Sequence, residues 1–270
     1  MFQGRVTVHC SRILRKAATV MLFCTSAASA LAADDLRVLL PVGVVHFNGA
    51  FGSVWESELT IKNATQSDAH IGSAADLCVI TCPFQLQLDA GQTRLLSDSF
   101  NSTLLASATG LVLHLQTRQP NGARDVRLNL RVRDLSRQAS TWGTEIPVVR
   151  ASEFMIAPIQ LLNVPTSSAF RFTVRVYAID GPDLVAARAR VYDLLSGAVL
   201  RDLPLTLRRS REPTYFPAYA QLDSLSSELS NLGAERIGIE ISAADPAQAL
   251  WAFATVTNNE SQHVTTVTPH

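Results

Sequence analysis

Apolar and polar residues alternate along most of this chain with a period of two. In VRLNLRVRD (126–134), Val126, Leu128, Leu130 and Val132 fall on one side, and Arg127, Asn129, Arg131 and Arg133 on the other. Successive side chains of an extended backbone point to opposite faces, so this pattern predicts a strand with one buried and one wet face. The same holds for SVWESELTIKN (53–63), LVLHL (111–115), AFRFTVRVYAI (169–179), AARARVYDL (186–194) and IGIEI (237–241). Turn signals such as Asn121-Gly122 and Asp180-Gly181 separate many of them. Two stretches predict short helices instead, one after Asp98 in SDSFNSTLLA and one in QLDSLSSELSNLG (221–233). An aspartate stands at each start to accept hydrogen bonds from the first backbone NH groups, and Gly233 suits a left-handed stop.

The elements recur in order. SVWESELTIKN answers AFRFTVRVYAI at an offset of about 115, Asp98 answers Asp223 at 125, LVLHL answers IGIEI at 126, and Ile146-Pro147 answers Thr268-Pro269 at 122. This predicts an internal repeat that divides the chain near Val148. Each half has the size and strand content of an immunoglobulin-like sandwich, without the cysteine and tryptophan spacing of antibody domains. The expected fold is all-β: two tandem immunoglobulin-like β-sandwich domains, over 34–147 and 148–270, each with one short helix.

Residues 1–33 read as a separate unit. Arg5, Arg12, Arg15 and Lys16 precede an apolar or small run from Ala17 to Ala32, which ends in Ala28-Ser29-Ala30 and Ala30-Leu31-Ala32. That is the layout of a secretory signal peptide, with a core shorter than a membrane-spanning helix requires; an uncleaved anchor is the alternative. Cleavage near Ala32 is expected, to leave a chain starting at Ala33 or Asp34. Phe23 before Cys24 excludes a lipoprotein cleavage site, and no later segment is a long uncharged apolar run. Of 23 basic and 23 acidic residues the leader removes four basic ones, leaving 23 − 4 = 19 against 23, a net charge of −4. That balance argues against nucleic-acid binding. Only Cys78 and Cys82 remain after cleavage, and an isolated pair in an oxidising compartment favours a disulfide. Four extended residues would hold the two too far apart, so a bridge requires a local turn or bulge. Two free thiols are the alternative.

The series LQLDAGQTRLLSD (86–98), TWGTEIPVV (141–149), FPAYAQLDSLSSEL (216–229) and TVTNNESQHVTTVTP (255–269) resembles a group of uncharacterised bacterial secreted proteins with paired β-sandwich domains. That resemblance implies the fold and export, and carries no catalytic residue. A weaker similarity, in ELTIKNATQSDAHI (58–71) and PFQLQLDAGQTRLL (83–96), is to periplasmic pilus chaperones. The segment 111–130 departs from the strand and proline-rich turn expected next in that family.

Sequence motifs for chemistry are few. There is no nucleophile elbow, His-Glu-x-x-His metal motif, phosphate loop or dinucleotide fingerprint. Beyond the leader, His46, His70, His114, His263 and His270 are scattered, and His114 reads as a surface residue opposite Leu111, Leu113 and Leu115. The pairs Glu56 with Glu58 and Asp180 with Asp183 read as solvated carboxylates, and Arg208, Arg209 and Arg211 as an exposed connector. Trp55, Phe170, Trp251 and Phe253 read as core aromatics, with a sugar platform as the sharper alternative. Arg127, Arg131 and Arg133 form a possible anion-binding surface for a glycan or lipid headgroup; the plainer reading is a wet strand face balanced by neighbouring carboxylates. Asn63, Asn101 and Asn259 begin Asn-x-Ser/Thr triplets, relevant only to a eukaryotic secretory pathway. No metal, cofactor or catalytic residue is expected. The reading is an exported, non-catalytic binding or structural protein acting on an unidentified protein or glycan at the cell envelope. A pilus-type chaperone working by strand addition, or a secreted hydrolase, are the alternatives.

Overall fold

Eighteen strands supply almost all the regular structure in the computed structural model, which describes residues 34–73, 84–96, 109–136, 142–209, 216–223, 229 and 233–270. The leader, Cys78, Cys82 and the helix expected after Asp98 lie outside these residues. Of the second expected helix, over 221–233, Gln221 and Leu222 instead end a strand, Asp223 follows it, Leu229 is helical and buried, and Gly233 has the left-handed φ of 76° expected of a stop.

The first ten strands are β1 (Asp34–Leu40), β2 (Phe47–Asn48), β3 (Val54–Asn63), β4 (Ala69–Gly72), β5 (Gln85–Leu88), β6 (Thr93–Leu96), β7 (Leu111–Thr117), β8 (Val126–Asp134), β9 (Thr144–Ile146) and β10 (Val149–Arg150). They form two antiparallel sheets. One has the order β10-β1-β7-β4-β5; the other runs β2-β3-β8-β9, with β6 also paired to β3. The remaining strands are β11 (Ile159–Pro165), β12 (Phe170–Ala178), β13 (Leu184–Asp193), β14 (Val199–Arg209), β15 (Ala218–Leu222), β16 (Arg236–Ala243), β17 (Trp251–Asn258) and β18 (Val264–Val267). These make one eight-stranded antiparallel sheet, β11-β16-β13-β14-β15-β12-β17-β18. Strand pairing joins its two halves where β14 meets β15, at Arg208 opposite Tyr219 and Arg209 opposite Ala218. The sheet folds back on itself there, and near its far edges the His270 amide donates to the Gln160 carbonyl at 3.2 Å.

The two strand sets have matching orders. β1-β7-β4-β5 corresponds to β11-β16-β13-β14, and β6-β3-β8-β9 to β15-β12-β17-β18. Local chemistry matches too. Asp134, ending β8, accepts the Ser136 amide at 3.0 Å, and Asn258, ending β17, accepts the Glu260 amide at 2.9 Å. Short polar side chains that bond the backbone two residues on make such turns without help from the sheet. The order differs from the antibody arrangement in pairing the first strand of each set with β7 or β16.

Two apolar clusters fill the molecule. That of β11–β18 draws only on its own strands and their connections, with Val174, Val176, Ile239 and Ile241 fully buried. The cluster of β1–β10 also takes in Tyr177, Ile179, Trp251 and Phe253 from the second set, so the outer face of β12 and β17 completes the first core. This covers surfaces that alternation alone marks as wet. Leu111 to Leu115 are all buried, and His114, expected at the surface, is only 7% exposed. β7 lies between β1 and β4 in a sheet covered on both faces, as the adjacent buried residues Val38 and Leu39 also require.

Candidate functional site

Where the strand sets meet, a cavity of about 540 Å³ opens between them. Its floor comes from the first set: Val42 and Val44 in the link from β1 to β2, Trp55 on β3, Val132 on β8 and Ile146 on β9. Trp55, Val132 and Ile146 share the core-facing side of their sheet with Leu59 and Leu130. The roof is the outer face of β12 and β17. On β12, Phe172, Val174 and Val176 turn into the second core, so Arg171, Thr173, Arg175 and Tyr177 turn out toward the first set. On β17 the outward residues are Trp251, Phe253, Thr255 and Thr257.

The roof grades from apolar to polar along the strands. At one end Trp251 and Phe253 stack with ring centroids 5.2 Å apart, and Tyr177 lies 6.0 and 6.4 Å from them. The fully buried Tyr177 hydroxyl donates to the Pro41 carbonyl at 2.7 Å, which ties the sets together. Burial pushes the Tyr177 phenol well above its usual pKa against the opposing effect of Arg175, so it stays a neutral donor. Toward the cavity the face becomes Thr173, Thr255, Arg171 and Arg175. The Arg171 guanidinium donates to Asn259 Oδ1 at 2.9 Å and to Gln262 Oε1 at 2.6 Å, and lies 5.3 Å from the Phe51 ring of the first set. Arg175 lies 5.9 Å from the Phe253 ring and bonds the Tyr219 phenol. Burial raises the Tyr219 pKa, with Arg175 opposing, and its hydroxyl donates to Gln221, which in turn donates to Asp223 at 2.6 Å. Among the described residues the lining holds two arginines and no carboxylate.

The loop between β2 and β3 forms the rim. Phe51 and Gly52 have positive φ values of 57° and 73°, and the Gly49 amide closes the loop on the Ser53 carbonyl at 2.8 Å. A Cβ on Gly49 would occupy the space of the Ser53 hydroxyl and the Trp55 indole, so the tryptophan can lie against the loop only because a glycine is there. Phe47 and Phe51 stay 52% and 65% exposed beside the opening.

The arginines singled out in the sequence lie elsewhere, on the outer face of β8. Arg133 faces Glu56 across β3 and bonds it at 3.2 Å, and Glu56 is only 5% exposed. Arg131 stands between Glu58 on β3 and Glu145 on β9, bonds Asn129 at 3.0 Å and lies 5.2 Å from the exposed Trp142 ring. Arg127 is exposed opposite Lys62. The stripe therefore alternates with carboxylates on its neighbours at two of its three positions. Of the other carboxylates, Asp180 receives a bidentate pair from Arg37 at 2.6 and 2.9 Å, which holds its pKa below the ordinary range. Asp183 lies 3.6 Å from Arg209. Arg208 and Arg209 belong to β14 rather than to an exposed connector, and the Arg209 side chain is 2% exposed and donates to the Phe216 carbonyl at 2.6 Å. Arg211 lies outside the described residues. Asn63 is fully buried, its amide shared among the carbonyls of Ser67, Leu88 and Asp89, so it is a fold-holding residue and not a glycan acceptor. Trp251 and Phe253 are core aromatics of the junction between the sets.

Arg171 and Arg175 were missed because they read as the wet positions of an alternating strand. A signal did exist in β17, where WAFATV carries Trp251 and Phe253 on one face and Ala252, Ala254 and Val256 on the other, with no face left for water. Among the described residues no cluster of metal-ligating side chains occurs, and no helix is long and apolar enough to cross a membrane. Comparison with protein-family models, with curated proteins and with solved structures found no match to this chain.

Proposed function

We propose that this is an exported binding protein of the cell envelope or extracellular space, built of two tandem immunoglobulin-like sandwich domains that hold a ligand between them. The observation that carries the reading is the cavity at the junction. Its size falls in the range of small-molecule sites, and its walls combine apolar side chains with a few converging polar ones. The matching strand orders and the matching turns after β8 and β17 support an internal repeat. In this reading the leader, residues 1–33, is cleaved near Ala32. A bridge between Cys78 and Cys82, the two cysteines beyond the leader, belongs to the same reading of an exported chain. The groups facing the cavity hold and orient a ligand rather than break bonds in it: apolar side chains, threonines, a glutamine, a tyrosine kept neutral and guanidinium groups.

The test is a screen of neutral, cationic and anionic small molecules by ligand-observed NMR, repeated on Thr173→Trp, which fills the cavity from its roof. Compounds that bind the natural chain and are lost in the variant are expected. Failure of every class, or hits indifferent to the variant, would remove the binding reading.

A further inference from the structure

We infer that the junction cavity takes a small amphipathic anion, an apolar body ending in a carboxylate, with Arg175 receiving the carboxylate; this rests on the binding reading above and names its ligand class.

The argument begins with Arg175. It projects from the middle of β12 into the seam between the strand sets, half-buried, against the face of Phe253. Its one hydrogen-bond partner among the described residues is the phenol of Tyr219, a neutral group, and its Nε is buried with no partner. The described ion pairs of the molecule include five other arginines and leave Arg175 out. A half-buried cation matched only by a phenol and a ring face is incompletely compensated, and an arriving oxyanion adds the missing partner. A guanidinium offers parallel NH donors in one plane, which fits the two oxygens of a carboxylate. Arg171, four residues along the same strand face, adds a second positive charge to the roof, held by Asn259 and Gln262.

The rest of the cavity sets the body of the ligand. Opposite the arginines lie Val42, Val44, Trp55, Val132 and Ile146, an apolar floor. Among the described residues the lining holds no carboxylate to match a cation and two guanidinium groups that repel one, and a uniformly polar molecule such as a sugar would leave the floor unfilled. The exposed Phe47 and Phe51 extend the apolar surface to the mouth.

Isothermal titration of the intact mature chain with dodecanoate, naphthoate and dodecanol separates the outcomes. At least one of the two carboxylates should bind, dodecanol should bind roughly tenfold or more weakly, the scale of one charge-assisted hydrogen bond, and raising salt should narrow the gap. Arg175→Gln should weaken the carboxylate to the level of the alcohol, while Arg175→Lys keeps part of the preference. Which carboxylate binds distinguishes a flexible from a flat body. Equal binding of dodecanoate and dodecanol, both lost in Thr173→Trp, would overturn the anion while leaving the binding protein intact. So would carboxylates that fail to bind when other compounds in the screen do. The comparison of ligands on the unaltered chain needs no variant to fold.

Discussion

Glu56 and Arg133 show how little of a charged residue's role its type reveals. Both sit on positions that alternation assigns to water, yet Glu56 is 5% exposed beneath the Arg133 guanidinium. Removing the arginine strands a buried carboxylate, whereas removing an exposed neighbour strands nothing. Arg133→Ala should therefore lower the unfolding free energy by about 1–3 kcal/mol, while Arg127→Ala, opposite Lys62, should stay within about 0.5 kcal/mol. Urea denaturation of both variants decides it, and adding Glu56→Gln to the first should restore much of the loss. If both variants unfold alike, the pairing has no energetic weight. Asn63 makes a similar point with a neutral side chain, since its three carbonyl contacts bind the end of β3 to the turn before β4 and to the end of β5 and the turn after it.

At the level of elements, the strands were legible because their pattern has the period of the backbone itself. LVLHL, AFRFTVRVYAI, AARARVYDL and IGIEI all fall within β7, β12, β13 and β16 or extend them by a residue or two. Which faces are wet was not legible, because that depends on what covers a sheet. β7 and β12 lose their wet faces to packing, so His114 is buried and Arg175 lines a cavity. The cavity was also beyond reach because its floor and roof bring together residues as far apart in the chain as Val42 and Thr173. Pairing makes its own local demands. Gly238 on β16 lies opposite Tyr192 on β13, whose ring covers the space a Cβ would take and whose hydroxyl donates to Gln160 at 2.9 Å. Gly238→Ala must push the ring aside and break that bond, at a cost of about 1–3 kcal/mol. In a Tyr192→Ala background the same change should cost much less, and equal costs in both backgrounds would show that the ring is not the obstacle.

Across the whole molecule the two strand sets are unequal partners in spite of their matching orders. The second cluster closes on residues of β11–β18 and their connections, but the first depends on Tyr177, Ile179, Trp251 and Phe253 from the second set. The junction is further held by Tyr177 to Pro41, Thr144 to the Val264 carbonyl at 2.8 Å, and the Arg37–Asp180 pair. An aromatic side chain removed from a core costs several kcal/mol, a large share of an ordinary domain's stability, and separation of the sets exposes three such rings at once. Residues 34–150 made alone should therefore lack a cooperative urea transition and bind a hydrophobic dye. Residues 151–270 made alone should keep strand structure by circular dichroism but self-associate through the uncovered face of β12 and β17. Mixing the two should restore a single transition and a one-to-one complex by size-exclusion chromatography. Cooperative unfolding of an isolated, monomeric 34–150 near the midpoint of the full chain would mean that the first core is complete without its neighbour, and that the cavity lies between independent bodies.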